Sequence, residues 1–182
     1  MLKRLYFALV LTLFMLSQIA AQSWQPAMLP SGQEIDCGAE GAMTDPRMAN
    51  YLELRASAEY DVLVRVINTQ GQCARTAFLA RGQIVQLRHF PEGVYKLRVA
   101  YGTGLERSTS ASGNCAYRFS NTAFYIEGAA ELDMRLKNKR EEHVGGKLRS
   151  LYDVPFYEIF LATANEQEFS NFGGKNIATP EF

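Results

Sequence analysis

The stretch VYKLRVAY, residues 94–101, places Tyr95, Leu97, Val99 and Tyr101 on one side of an extended chain and Val94, Lys96, Arg98 and Ala100 on the other. Side chains alternate between two faces in a strand, so this period of two commits the segment to a sheet. Tyr95, Leu97 and Val99 are expected in the core, and Lys96 and Arg98 in solvent. The pattern returns at short intervals. YLELRAS (51–57) sets Leu52 and Leu54 against Glu53 and Arg55, and DVLVRVIN (61–68) aligns Val62, Val64 and Val66. CARTAFLA (73–80) and IVQLRHF (84–90) follow across the turns TQGQ and ARGQ. CAYRFSNTAFYIEG (115–128), AELDMRL (130–136) and VPFYEIFLAT (154–163) supply further strands. No segment carries a helical period, so the predicted class is all-β, an antiparallel β-sandwich of roughly 7–9 strands.

The N-terminus reads as a secretory signal peptide over residues 1–21. Lys3 and Arg4 precede the apolar run LYFALVLTLFML, and small Ala20 and Ala21 close it. The apolar run is shorter than the about 20 residues a bilayer span needs, so no transmembrane span is expected after cleavage. The expected location is periplasmic or extracellular. Removing Lys3 and Arg4 from 19 basic residues leaves 17 against 19 acidic ones. A net charge of −2 argues against nucleic acid as the main partner. Residues 22–50 hold three prolines and three glycines with no sustained period, and read as an irregular N-terminal arm. The single domain is then residues 51–182. Trp24, the only tryptophan, is expected to pack the arm onto the body.

Turn chemistry punctuates the rest. In Phe90-Pro91-Glu92-Gly93 the proline fixes φ, and the glycine sits where a positive φ is often needed. GTG at 102–104 would need a following helix to cradle a phosphate, and LERSTSASGN reads as a polar loop instead. Residues 137–147, KNKREEHVGGK, read as a charged flexible excursion, and the tail from Asn165 as a glycine-broken hairpin or extended end.

These segments carry a resemblance. YLELRAS leading to DVLVRVIN, the hairpin QGQCARTAFLARGQ, then FPEGVYKLRVAYGTG, a long polar loop, YEIFLATAN and the end IATPEF together resemble a loosely defined group of exported bacterial β-rich proteins of uncharacterised function. The resemblance covers most of the chain after the arm and implies a β-sandwich; it brings no catalytic residue with it. PEGVYKLRVAYG is also similar, over this short stretch, to the core hairpin of transthyretin-like and carboxypeptidase-regulatory-like domains.

Chemistry-bearing residues are sparse. Cys37, Cys73 and Cys115 permit one bridge and leave one cysteine over, in a compartment that favours oxidation. Counting strand directions puts the arm bearing Cys37 at the end of the sandwich where Cys73 starts its strand, so Cys37–Cys73 is the expected pair, with Cys37–Cys115 next. His89 and His143 are far apart and no two cysteines are close, so no metal site and no cofactor are expected. Glu141 and Glu142 beside His143 read as a solvated turn. Glu158 shares a face with Phe156 and Phe160, and is expected to pair with an arginine such as Arg98 or Arg118. Ser108, Ser110 and Ser112 lack a nucleophile-elbow setting. Tyr117, Phe119, Phe124 and Tyr125 are expected mostly in the core. The most basic stretch, Arg135, Lys137, Lys139, Arg140, Lys147 and Arg149, is the candidate binding surface for an anionic glycan or envelope polymer.

No paired catalytic motif emerges, and no catalytic residue is assigned. The expectation is an exported, non-enzymatic binding or scaffolding module whose partner is an envelope protein or glycan. The alternative is a hydrolase or other enzyme acting on envelope glycans or peptides, which would require two converging titratable groups with shifted pKa values.

Overall fold

The computed structural model describes residues 24–35, 42–109, 115–163 and 172–177. The signal peptide, Cys37, Ser110, Ser112 and most of the tail lie outside the described residues. The described chain is all-β: β1 (Gln25–Pro26), β2 (Glu34–Ile35), β3 (Tyr51–Ala56), β4 (Asp61–Asn68), β5 (Cys73–Leu79), β6 (Ile84–Arg88), β7 (Val94–Thr109), β8 (Cys115–Gly128), β9 (Leu132–Asp133), β10 (Lys137–Val144), β11 (Lys147–Asp153), β12 (Phe156–Leu161) and β13 (Gly174–Asn176). A large sheet runs β13-β8-β7-β4-β5-β2, with β1 and β9 also paired to β7; a small sheet runs β12-β3-β6, and β10-β11 form a separate hairpin.

The alternation explains which faces meet. Val62, Val64 and Val66 of β4 and Leu97, Val99 and Tyr101 of β7 join Leu52 and Leu54 of β3 and Val85 and Leu87 of β6 in one buried cluster. The two sheets therefore close on each other as a sandwich around a dry core. Tyr95, Leu97 and Val99 are 4%, 1% and 0% exposed and the Lys96 side chain is 48% exposed, as the period of two requires, whereas Arg98, also expected in solvent, is half-buried against Glu127.

The opposite face of the large sheet is only partly wet. Leu63, Phe78, Ala100, Leu105 and Phe119 form a second buried cluster, on which Ala27 and Leu29 of the arm pack. The arm is thus more than an irregular leader. Its β1 pairs with Glu106 and Arg107 of β7, and its β2 pairs with Thr76 and Ala77 of β5. Trp24 serves the packing role, with the Arg118 guanidinium 4.1 Å from its ring centre.

Two polar devices fasten the arm. Asn50 is fully buried: its Nδ2 donates to Phe90 O at 2.9 Å, and Phe90 N–H donates to its Oδ1 at 2.8 Å. This reciprocal pair does the work of a ladder rung where the chain is not a strand. Arg75, opposite Val66 in register, points into the core side of β5 and is 2% exposed. It donates through two nitrogens to the Glu34 carboxylate and through Nη1 to Arg88 O at 2.9 Å, and lies 5.2 Å from the Phe90 ring centre. One cation therefore ties the large sheet, the small sheet and the arm together at the open edge of the sandwich.

Several expectations need correction. β7 does not end at Tyr101: it passes a bulge between Tyr101 and Gly102 and continues to Thr109, paired with β8 throughout. The glycines permit that passage, since a Cβ on Gly102 would come within 2.6 Å of Asn121 O and of Phe119, and Gly104 has φ of +68°. The positive φ before β7 belongs to His89 (65°), not to Gly93. Residues 137–147 are not a loop, because β10 and β11 form a hairpin whose Gly145 and Gly146 have φ of 62° and 77°, the values a tight two-residue turn demands. The sandwich is also not wholly antiparallel, since β12 runs parallel to β3. In the segment 130–136 only Leu132–Asp133 is strand.

Candidate functional site

The outer face of the small sheet gathers the most chemistry. Leu52, Leu54 and Ala56 of β3 point inward at 0–1% exposure, which turns Tyr51, Glu53 and Arg55 outward. Register then sets three rows across β6, β3 and β12. Arg88, Tyr51 and Phe156 make the first, Gln86, Glu53 and Glu158 the second, and Ile84, Arg55 and Phe160 the third. Phe156 is 59% exposed and stacks on Tyr51, with ring centres 5.3 Å apart and planes at 16°. Arg88 Nε donates to Gln86 Oε1 at 2.7 Å, and Gln86 Nε2 donates to Glu53 Oε2 at 3.3 Å. The Arg55 guanidinium lies 5.3 Å from the Phe160 ring centre. Phe156 and Phe160 are four residues apart on one strand, so about 13 Å separates their Cα positions, with the opposed carboxylates of Glu53 and Glu158 between them.

Chemically this is a platform rather than a cleft. An apolar ring flanked by carboxylate acceptors and amide and guanidinium donors suits a ring-shaped polyhydroxyl ligand. The C–H face of such a ligand covers the aromatic surface, while its hydroxyls bond to the fixed polar row. Half of this platform was legible in the sequence, where Glu158 shares a face with Phe156 and Phe160. The other half was missed, because the parallel pairing that brings Tyr51 and Glu53 alongside joins segments about a hundred residues apart. Of the arginines named for Glu158, Arg98 binds Glu127 at 2.8 Å and Arg118 binds Glu106 at 2.9 Å.

The other candidates are dispersed. The structure carries Arg135, Lys137, Lys139, Arg140, Lys147 and Arg149 on the β10–β11 hairpin and its root. There Arg135 and Lys137 bind Asp133 at 2.7 and 3.1 Å, Lys139 binds Glu141 at 2.8 Å, and Arg140 binds Asp153 at 2.6 Å. Four of the six cations are thus neutralised locally, which weakens the field they project. The Asp133 carboxyl is held far below its ordinary range, first by the bond from Arg135. His143 and Glu142 are exposed on β10, and Ser108 is buried. His89 is held in its turn by Met48 O, 2.6 Å from Nδ1. Phe119 is in the second cluster, and Phe124 packs on Tyr101 with ring centres 4.5 Å apart.

A cavity of about 300 Å³ opens elsewhere, lined by Asn68, Tyr95, Lys96, Arg98, Glu127 and Glu131 among others. Its charges answer one another, Arg98 with Glu127 at 2.8 Å and Lys96 with Glu131 at 3.8 Å. The bond from Arg98 is the largest reason the Glu127 carboxyl sits below its usual range. The stabilisation from that pair is therefore present above the ordinary carboxylate pKa and is lost as the pH falls through the lowered value.

No protein-family model, no curated protein and no solved structure matches the chain. Among the described residues no three His, Cys, Asp or Glu side chains are grouped to hold a metal ion, and no helix is long and apolar enough to cross a membrane.

Proposed function

We propose that the protein is an exported, non-enzymatic β-sandwich that binds a glycan of the cell envelope through the outer face of the small sheet. The observation that carries this reading is the stack of exposed Phe156 on half-buried Tyr51 beside the row Gln86, Glu53 and Glu158. A large aromatic surface left in water on a rigid sheet costs hydration free energy that a stacked ligand recovers. Co-sedimentation with purified envelope polysaccharide tests it. Wild-type protein is expected to co-sediment, and Phe156→Ala is expected to weaken binding about tenfold, the usual scale of losing one aromatic anchor, with an unchanged melt. Equal binding by both proteins would refute the assignment of the face. Release of soluble fragments from the polysaccharide would favour the hydrolase, and retention of a protein in place of the glycan would favour a scaffolding role.

Export also underlies the proposed Cys37–Cys73 bridge. Ile35 stands opposite Thr76 in antiparallel register, and Met43 N–H donates to Ala74 O at 2.9 Å. The chain thus leaves and rejoins the described structure beside the strand that Cys73 begins. Cα atoms must come within about 7 Å for a bridge. Peptide mapping of the exported protein without reduction is expected to give a Cys37–Cys73 fragment and a mature N-terminus at Gln22. A fragment joining Cys115 to either partner would end the pairing, and a mature chain starting at Met1 would end the export reading.

A further inference from the structure

The β10–β11 hairpin is exposed along its whole length. Every residue of both strands is exposed, and neither outer edge is bonded to another strand among the described residues. A two-stranded ribbon alone is marginally stable in water, and an open edge is a template for another strand. Six of the eight large hydrophobic side chains left exposed, Val144, Leu148, Leu151, Tyr152, Val154 and Phe156, lie on this hairpin or directly after it.

The two edges differ in what they accept. In an antiparallel pair, bonded and non-bonded residue pairs alternate, so a two-fold axis relating two identical strands must pass through a residue that faces its own copy. On β10, KNKREEHV, the central choices are Arg140 and Glu141, and each sets like charges against one another. That edge is guarded. On β11, KLRSLYD, the centre is Ser150, small and uncharged. Around it Arg149 faces Leu151 of the second copy, Leu148 faces Tyr152, and Lys147 faces Asp153, each pair formed twice. A register centred on Leu151 would instead set Lys147 against Pro155, beyond the strand.

We infer that β11 is a self-recognition edge, through which two copies of the chain pair antiparallel about Ser150 and merge their hairpins into a four-stranded sheet β10-β11-β11-β10. The occupant is a second copy because the strand's charges and apolar side chains complement their own reversed order. On one face Leu148 and Tyr152 of each copy come together beside Ser150. On the other, Lys147 gains a carboxylate that already accepts bonds from Asn138 and Arg140 of its own chain at 2.7 and 2.6 Å. The assembly stops at two, because its outer edges are then the guarded β10 strands.

Sedimentation equilibrium of the full protein as its cell processes it tests this, with Lys147→Asp and Leu148→Asp as variants and a thermal melt as the folding control. Lys147 is exposed and stands opposite Val144 beside the turn, so its replacement leaves the hairpin's own ion pairs in place. The protein is expected to dimerise. Lys147→Asp should raise the dimer dissociation constant about tenfold, because two favourable cross-strand pairs become like-charged, and Leu148→Asp by more, with unchanged melts of the monomer. A cysteine replacing Ser150 should cross-link the dimer on its axis under mild oxidation, and one replacing Glu142 should not. A monomer at every concentration overturns the inference. So does a dimer whose dissociation constant is the same in all three proteins, since its interface then lies elsewhere.

Discussion

Replacing Glu34 by alanine is expected to destabilise the protein by about 3 kcal/mol, measured by equilibrium urea denaturation. Removing one member of a buried ion pair usually costs about 3–5 kcal/mol, because the remaining charge stays buried without its partner. The lower end applies here. The Arg75 side chain is 3% exposed, but that of Glu34 is 36% exposed, so water already screens part of the attraction. Without the carboxylate, Arg75 keeps, among the described residues, Arg88 O and the Phe90 ring as neighbours that can answer its charge, and β2 loses its side-chain anchor on β5. The double variant Glu34→Ala with Arg75→Met should recover most of the loss, since an apolar side chain of similar volume does not need the pair. If the double variant were as unstable as the single one, the cost would lie in the strand β2 itself and not in the stranded cation.

Leu97→Ala should cost about 2–5 kcal/mol, the range for a leucine truncated in a packed core. Leu97 is 1% exposed, stands opposite Val66 on β4, and belongs to the cluster that joins the two sheets. The neighbouring Lys96→Ala should stay within about 0.5 kcal/mol, as surface changes do. Its one ion pair among the described residues is a 3.8 Å contact with Glu131 between two exposed side chains. Urea denaturation of both variants checks the face assignment of β7 by contrast. Equal effects at the two positions would mean that the strand is not amphipathic in the folded protein.

The parts of the fold legible in the sequence are those fixed by short-range physics. The period of two located β3, β4, β5 and the first half of β7, because each turns an apolar row toward the other sheet and a one-residue slip would take that row out of the core, although β4 and β5 bury residues on their other face as well. What escaped was non-local or chemically disguised. The second half of β7, Leu105 to Thr109, reads as a polar loop because Ser and Thr dominate it. It is a strand because β8 and the arm supply partners on both edges. Charge disguised β10 in the same way, since a strand exposed on both faces has no apolar alternation to reveal it. Gly145-Gly146 was the available signal, as adjacent glycines between two polar strands suit a turn with two positive φ angles. His89 took the left-handed conformation expected of Gly93, a region that histidine enters more readily than most residues other than glycine.

The candidate site was half visible for the same reason. The face shared by Phe156, Glu158 and Phe160 follows from alternation alone. That Tyr51 and Glu53 complete it depends on β12 closing against β3 in parallel, a pairing set by how the large sheet covers the small one rather than by any local motif.

The most direct measurement of the binding proposal is a backbone NMR titration of the protein with soluble envelope oligosaccharide. The amide signals of Tyr51, Glu53, Arg55, Gln86, Phe156 and Glu158 should shift together and saturate at one dissociation constant, with the cavity residues Lys96, Arg98 and Glu127 unmoved. Shifts confined to that cavity or to the β10–β11 hairpin, or no shifts with any envelope glycan, would contradict it.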